Sequence, residues 1–461
     1  MKTEPDVTPE CTKSHLYGLL YKSPITWVAV LAMVITAVAC HDKQGPKDTS
    51  TANIKKEEAD TTMLGGPTEV PSSVYEGRSV EEVLKLVAYR QLKDVKDGEY
   101  IKGTWKEVQA SRPPENMSWH HTHGVTLYGL MYANEKVFHD PEILNYVKKH
   151  NEVAGRQWEY LTWQINTFGK YTNDGTMGEF VKLFMLDHCG AIVHQMLESI
   201  VRHQVQPTSG MQAIIDRTED YIANKQGRIN NAFWRPESMG GTLWIDDLYM
   251  GCPVLLKLYQ HTGNKKYLED AIYQIKTYAS YAQDKDGLYY HGYFFEENEN
   301  SACKWGRANG WTIIAMVEVL SVMPEDHPEK EALIAILKNH INGLVSFQDP
   351  SGLWHQVLDH PELWLETSCT SMFAYAITRA VNRGWIGQEY LQYAKKAFEG
   401  INTRITEDGG IIGISEGSGI GRDLEFYMHR KRPFDGHHGK GPVLLALTEL
   451  LLSEQNSPTY K

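Results

Sequence analysis

Six short segments concentrate residue types that move protons or grip flat, charged ligands. Trp244-Ile245-Asp246-Asp247-Leu248 sets two adjacent carboxylates between Trp244 and Tyr249, at the expected start of a helix. A single Asp there is ordinarily a cap, because its oxygens accept from the unpaired first N–H groups. Two in a row let one cap while the other faces outward, where an apolar, aromatic setting would raise its pKa and let it act as an acid. Trp305-Gly306-Arg307-Ala308-Asn309-Gly310-Trp311 brings two Trp and one Arg together at another helix start. That is either packing around a structural ion pair or an aromatic wall with a guanidinium fork for a carboxylate. Tyr289-Tyr290-His291-Gly292-Tyr293 carries one His among aromatics. In Leu183-Phe184-Met185-Leu186-Asp187-His188 a carboxylate interrupts an apolar run, and a buried Asp needs a partner. Glu416-Gly417-Ser418-Gly419-Ile420-Gly421-Arg422 and Asp435-Gly436-His437-His438-Gly439-Lys440-Gly441 are glycine-rich. No strand–helix–strand pattern surrounds them, so they suit loops lying close to a pocket better than a nucleotide site.

Other chemistries are disfavoured. His120, His121 and His123, or His437 and His438, lack the spacing of a zinc site, and no metal or organic cofactor is expected. No GxSxG or Cys-His nucleophile pattern is present. With 46 basic and 58 acidic residues the net charge is -12, which argues against a duplex nucleic-acid binder. Twelve Trp and 25 Tyr are many for core packing alone and suggest aromatic surfaces that grip a flat ligand.

The elements that must position these groups repeat. Gln226-Gly227-Arg228-Ile229, Asp286-Gly287-Leu288-Tyr289, Ser351-Gly352-Leu353-Trp354 and Gly409-Gly410-Ile411-Ile412 are polar-glycine turns followed by short extended pieces, their glycines 60, 65 and 58 residues apart. Two helical stretches separate each pair. Leu268, Ala271, Ile272, Ile275, Tyr278, Ala279 and Ala282 form a one-sided stripe, whereas Trp311 to Leu320 is apolar nearly all round. A one-face helix alternating with a fully buried one implies two layers. The spacing predicts twelve helices at 79–94, 123–135, 141–160, 180–204, 208–225, 244–261, 265–283, 308–323, 328–347, 367–383, 387–403 and 440–453. Six hairpins in two concentric rings form an all-α (α/α)6 barrel. A linear solenoid is the alternative, and loops converging on one mouth favour the barrel.

The first residues stand apart from that pattern. Ile25 to Ala39 is a 15-residue apolar run after Lys22, short for a spanning helix, and it ends in Ala37-Val38-Ala39-Cys40. Residues 1–39 therefore read as an export signal and Cys40 as a lipidated first residue, although Ala37 stands where lipoproteins usually carry Leu. Residues 40–75 are polar and read as a flexible tether to a catalytic domain over 76–461. The expected location is outside the cytoplasm, held to a membrane only through lipid. Cys189, Cys252, Cys303 and Cys369 show no pairing pattern and suit buried thiols.

Trp-Ile-Asp opening a helix, then Tyr-His-Gly-Tyr, then Trp-Gly-Arg-x-x-Gly-Trp resembles the unsaturated rhamnogalacturonyl hydrolases, glycoside hydrolase family 105, relatives of the family 88 unsaturated glucuronyl hydrolases. The resemblance runs from about Trp119 to Leu451. It takes in Gly352-Leu353-Trp354-His355-Gln356-Val357-Leu358-Asp359, Leu365-Glu366-Thr367-Ser368 and the closing Asp435-x-x-His438-Gly439-x-Gly441. It implies the same barrel and a substrate left by polysaccharide lyases, an oligosaccharide ending in a 4,5-unsaturated uronic acid. An acid protonates C4, charge develops at C5 and the ring oxygen, water adds at C5, and the hemiketal opens to release the neighbouring sugar. The resemblance makes Asp246 the acid/base and Asp187 the second pocket carboxylate, with His291, Trp305, Arg307, Trp311 and Trp244 around the sugar and Trp119 at the rim. The sequence departs from the family at Trp234-Arg235, where Trp-His is common, and at Phe294, where an acid is common. Arg235 is then a second cation for a carboxylate or sulfate. The alternatives are a non-catalytic surface glycan-binding lipoprotein, and an inverting glycosidase or lyase on the same barrel.

Overall fold

The computed structural model describes residues 77–172, 176–236 and 241–455. Residues 1–39, Cys40 and the tether to residue 75 lie outside the described residues.

Twelve principal helices occur among the described residues. They are α1 Val80–Gln91, α2 His121–Ala133, α3 Pro141–Phe168, α4 Gly190–Val201, α5 Ser209–Asp220, α6 Asp247–Thr262, α7 Lys266–Ala282, α8 Gly306–Val322, α9 Lys330–Ser346, α10 Thr367–Asn382, α11 Leu391–Asn402 and α12 His437–Gln455. The even-numbered helices pack side by side in a closed ring, with α12 returning to α2. Each odd-numbered helix covers the even one it precedes or follows in a hairpin: α3 on α2, α5 on α4, α7 on α6, α9 on α8, α11 on α10, and α1 on α12. The closed inner ring excludes the linear solenoid and gives the six-hairpin barrel expected from the repeat.

The two helix types are visible in their burial. Every residue of α8 from Gly306 to Leu320 is buried. In α7 Leu268, Ala271, Ile272, Ile275, Tyr278 and Ala282 are buried and the opposite face is polar. The glycine turns lead from an outer helix back to an inner one. At Gly352 (φ +88°) a Cβ would stand 2.0 Å from the Lys396 carbonyl of α11, and at Gly409 (φ +80°) 2.4 Å from the Leu86 carbonyl of α1. Each turn thus docks on the next outer helix, and the turn after α11 docks on the first. The glycine that the fourth turn requires is Gly409 rather than Gly410.

Short antiparallel ribbons follow the turns. They are β1 Arg228–Ile229 with β2 Ala232–Phe233, β3 Thr242–Trp244 with β4 Gly292–Phe294 and β5 Glu299–Asn300, and β6 Trp354–His355 with β7 Leu365–Glu366. Cys189, Cys252, Cys303 and Cys369 are buried and free, as expected.

Two helix boundaries differ from expectation. α3 runs to Phe168 because its last turns carry Trp163 and Phe168 onto Tyr160 and Trp105, with Gly169 (φ +67°) as its C-cap. The stretch 180–204 is not one helix. A short helix, Gly178–Lys182, ends at Leu183 (φ +31°), where Arg217 Nη2 takes the carbonyls of Phe180 and Val181. The chain resumes as α4 only at Gly190, where a Cβ would stand 1.6 Å from the Met250 carbonyl. Asp187 sits in this break, in a single 3-10 turn.

The end of the barrel opposite the loops is closed by a buried polar network. Arg379 Nε donates to Glu449 Oε2 at 2.8 Å, and its Nη1 lies 3.8 Å from Glu318 Oε1. Tyr128 and Tyr375 donate to Glu318, Tyr132 and Asn382 to Glu449.

Candidate active site

The loops that join outer helices to the following inner ones converge where the inner helices begin. β3 and β4 pair with Trp244 opposite Gly292, and the Ile245 N–H donates to the His291 carbonyl at 3.2 Å. This ribbon sets His291 against the start of α6. Asp246 stands at the N-cap of α6, but its side chain makes no capping hydrogen bond. Its Oδ2 lies 3.3 Å from His291 Nε2, and neither atom has a hydrogen-bond partner. Asp246 keeps 13% of its side chain exposed, whereas His291 is fully enclosed. Asp246 thus faces His291 Nε2 and uses no oxygen in capping the helix, which leaves the carboxyl available for proton transfer.

Asp247 does not cap the helix either. It is fully buried and accepts two bonds from Arg235, from Nε at 2.9 Å and Nη2 at 2.6 Å. Arg235 Nη2 also donates to Asp187 Oδ2 at 2.5 Å, and its guanidinium lies 4.4 Å over the Trp244 ring. One guanidinium thus serves two carboxylates. Burial acts to raise Asp187, but Arg235, His121 and His188 outweigh it and hold the group below the usual carboxylate range. Burial pushes Asp247 up to about 6 against the pull of Arg235. Asp187 is therefore the ionised, oriented carboxylate, and Asp246 the one left free.

Several assignments change here. Arg307 is buried, with its Nη groups donating to the carbonyls of Ser415 and Glu416 and lying 3.7 Å from Glu366. The fork expected to take a sugar carboxylate holds a loop instead. Arg235, expected as a second cation for a carboxylate or sulfate, is likewise engaged, with Asp187 and Asp247. Trp119 is not at the rim: it is buried against Phe180, and its Nε1 donates to the His188 carbonyl at 2.9 Å, supporting the turn that carries Asp187. Trp311, expected beside the sugar, is buried and stacks on Tyr249 at 4.8 Å. Trp305 is sandwiched between the His291 ring at 4.5 Å and the Arg307 guanidinium at 4.4 Å. Trp244 is only partly buried and presents its ring edge to His291.

The structure adds residues. His121 Nδ1 lies 3.8 Å from Asp187 Oδ1, and the His121 and His438 rings are 5.5 Å apart. Burial holds His121 down to about 4, so it faces Asp187 as a neutral donor or acceptor. Tyr427 hydrogen-bonds His291 Nδ1 at 2.8 Å. His438 was legible in the Asp-x-x-His-Gly-x-Gly motif. Tyr427 sits in a short helix, Leu424–Met428, with no sequence pattern to mark it. A cavity of about 350 Å³ opens near the starts of α2 and α12, lined by Lys93, His120, His123, His437 and Lys440 among others and by no acid.

With this geometry in hand, the comparisons decide the family. The model of Glycosyl Hydrolase Family 88 matches residues 88–453. The chain belongs to that family. Its similarity to the unsaturated rhamnogalacturonyl hydrolase YesR of Bacillus subtilis is 29% identity over 214 residues, 46% of this chain and 60% of that one. An unsaturated 3S-rhamnoglycuronyl hydrolase of an Alteromonas species is 28% identical over 216 residues, 45% of this chain and 51% of that one. The chain thus spans between half and three-fifths of these relatives. The crystal structure of a possible GH105 member from Klebsiella pneumoniae superposes with a TM-score of 0.65 at 24% identity, covering 87% of this chain and 100% of that one, which shows the shared fold.

Proposed function

We propose that this family 88 chain hydrolyses the terminal 4,5-unsaturated uronic acid from lyase-generated oligosaccharides. The observation that carries the reading is the division of labour between carboxylates. Asp246 is unpartnered, nearly enclosed and beside His291; Asp187 and Asp247 are tied to one guanidinium. Retaining and inverting glycosidases place two working carboxylates about the bond they cleave. Hydration of an enol ether needs one acid/base group. Asp246 delivers its proton to C4, the electron pair of the C4–C5 double bond forms the new C–H bond, and positive charge spreads over C5 and the ring oxygen. In this reading ionised Asp187 stabilises that charge. Water adds at C5 and returns a proton to Asp246, and the resulting hemiketal opens to expel the neighbouring sugar. Trp244, only partly buried, offers an aromatic surface for the ring.

The test is a panel of polysaccharides digested with their lyases, following loss of the ultraviolet absorbance of the conjugated enol ether acid. Activity on unsaturated oligosaccharides and none on the intact polymers is the expected result. Release of sugar from undigested polymer would overturn the reading in favour of an ordinary glycosidase or a lyase.

We further propose that the chain is exported and anchored by lipid on Cys40. The supports are the apolar run 25–39, the small residues before Cys40 and the polar stretch after it. Two or more acyl chains hold a protein firmly at a bilayer, at about 0.8 kcal/mol per buried methylene. Intact-mass measurement on membrane-extracted protein should find a lipid-bearing chain that starts at Cys40; a chain that keeps residues 1–39 would refute this.

A further inference from the structure

A strap of chain from Ser415 to Met428 crosses from the last hairpin to the ribbon that carries His291. At one end Arg307 Nη1 donates to the Ser415 carbonyl at 2.7 Å. Farther along, buried Ile420 presses on Gly292, where a Cβ would stand 2.5 Å from Ile420 Cδ1. Arg422 lies 3.7 Å over the Phe294 ring and pairs with Glu297 at 2.8 Å. The strap ends in a short helix, Leu424–Met428, capped by Asp423, and this helix turns Tyr427 inward until it is fully buried.

The hydrogen bonds of Tyr427 have a direction. Its oxygen accepts from the Gly421 N–H at 2.9 Å. Burial raises the phenol far above its ordinary pKa, so it keeps its proton. His291 Nδ1, 2.8 Å away, lies within reach of that O–H as its acceptor, the arrangement on which the proposal below builds. A ring nitrogen that accepts must leave the imidazole proton on the other nitrogen. The other nitrogen, Nε2, is the one 3.3 Å from Asp246 Oδ2. Around the imidazole the remaining neighbours are the rings of Trp305 and Trp244, with Arg307 behind Trp305.

We propose that Tyr427 is a positioning residue: it fixes the His291 tautomer with Nε2–H toward Asp246, so that seating of the strap governs the acid/base pair. The inference rests on the reading of Asp246 as the acid/base. Tyr427→Phe keeps the ring and removes the O–H. We expect kcat on unsaturated oligosaccharides to fall roughly 10–100-fold, as for other residues that orient an active group through a hydrogen bond, with KM nearly unchanged. The pH–rate profile should shift with it. Arg422→Ala, which loosens the strap without touching His291, should lower kcat in the same direction by less. Histidine ¹⁵N NMR, with His291 assigned from the signal lost in His291→Gln, should show the Nε2–H form in wild type and a mixture in Tyr427→Phe. An unchanged tautomer, kcat and pH profile, with only thermal stability lost, would reduce Tyr427 to packing. The NMR readout needs no turnover. A tautomer change in a protein inactive on every unsaturated oligosaccharide would keep the Tyr427 assignment and sink the hydrolase reading.

Discussion

The two ends of the inner helices solve the same problem in opposite ways. At the closed end Arg379 faces Glu449 and Glu318, and Tyr128, Tyr132, Tyr375 and Asn382 supply the remaining donors. Both carboxylates there are buried and both are satisfied. At the mouth Arg235 satisfies Asp187 and Asp247 in the same fashion, yet Asp246 Oδ2, His291 Nε2 and Trp305 Nε1 are left without partners. An unsatisfied buried polar atom costs about 1–3 kcal/mol, so the mouth forgoes stability that the closed end keeps. The contrast lies in how the carboxylates are held: Glu318 and Glu449 are bonded to several donors, whereas Asp246 Oδ2 faces His291 Nε2 at 3.3 Å.

The largest test of the contrast is Asp246→Asn. It should lower kcat by about 10²–10⁴-fold while the thermal midpoint stays level or rises, since an amide relieves a strained site. Steady-state kinetics and a melting curve on the same preparation read both; full activity in a folded variant would shift the role to another carboxylate. Arg379→Met should do the reverse. It leaves Glu318 and Glu449 buried without a cation and should cost about 3–5 kcal/mol in urea unfolding, with turnover per folded molecule preserved. Loss of turnover in fully folded Arg379→Met would erase the functional difference between the ends.

Arg235→Lys probes the group at the mouth that behaves like the closed end. Lys cannot present the bidentate fork, so Asp187 and Asp247 lose alignment together. Stability should drop by roughly 1.5–3 kcal/mol and kcat should fall too. A change in one without the other would show that the pair belongs wholly to structure or wholly to chemistry.

The smallest effect expected is on pH dependence. Burial holds His340 in the outer wall down to about 3 and His121 at the mouth down to about 4. An unfolded His titrates near 6.5, so between that value and the folded one the unfolded chain binds more protons. Stability is therefore full above about pH 6.5 and declines as pH falls toward the folded values. His340→Gln should make that decline shallower in melting curves taken from pH 7 to pH 5, and an unchanged slope would refute it.

The fold was legible because burial has a period. Alternation of the α7 stripe with the all-round apolar α8 reported two layers, and the glycine turns counted the hairpins. The break at Leu183–Cys189 was not legible, because Leu183 to Leu186 continue the apolar run while left-handed Leu183 and distant Arg217 end the helix before it. Asp246, Asp187 and His291 were visible as polar types in apolar settings. The roles of Arg307, Trp311 and Trp119 were not, because a buried cation or aromatic looks the same in sequence whether it faces a ligand or a carbonyl. Partners distant in the chain decided that: Ser415 for Arg307, and His188 for Trp119.

The seam where α1 lies on α12 bears on how the chain reaches its native state during synthesis. Arg78 donates to the Ile405 carbonyl across 327 residues, and Gly409 seats on Leu86. The first of the described helices thus waits, without its permanent neighbour, until the last of them has been made. Contacts of such separation form late and slowly. A barrel sealed by its own first and last hairpins stays an open arc while the ribosome works, and only the final hairpin turns the arc into a ring.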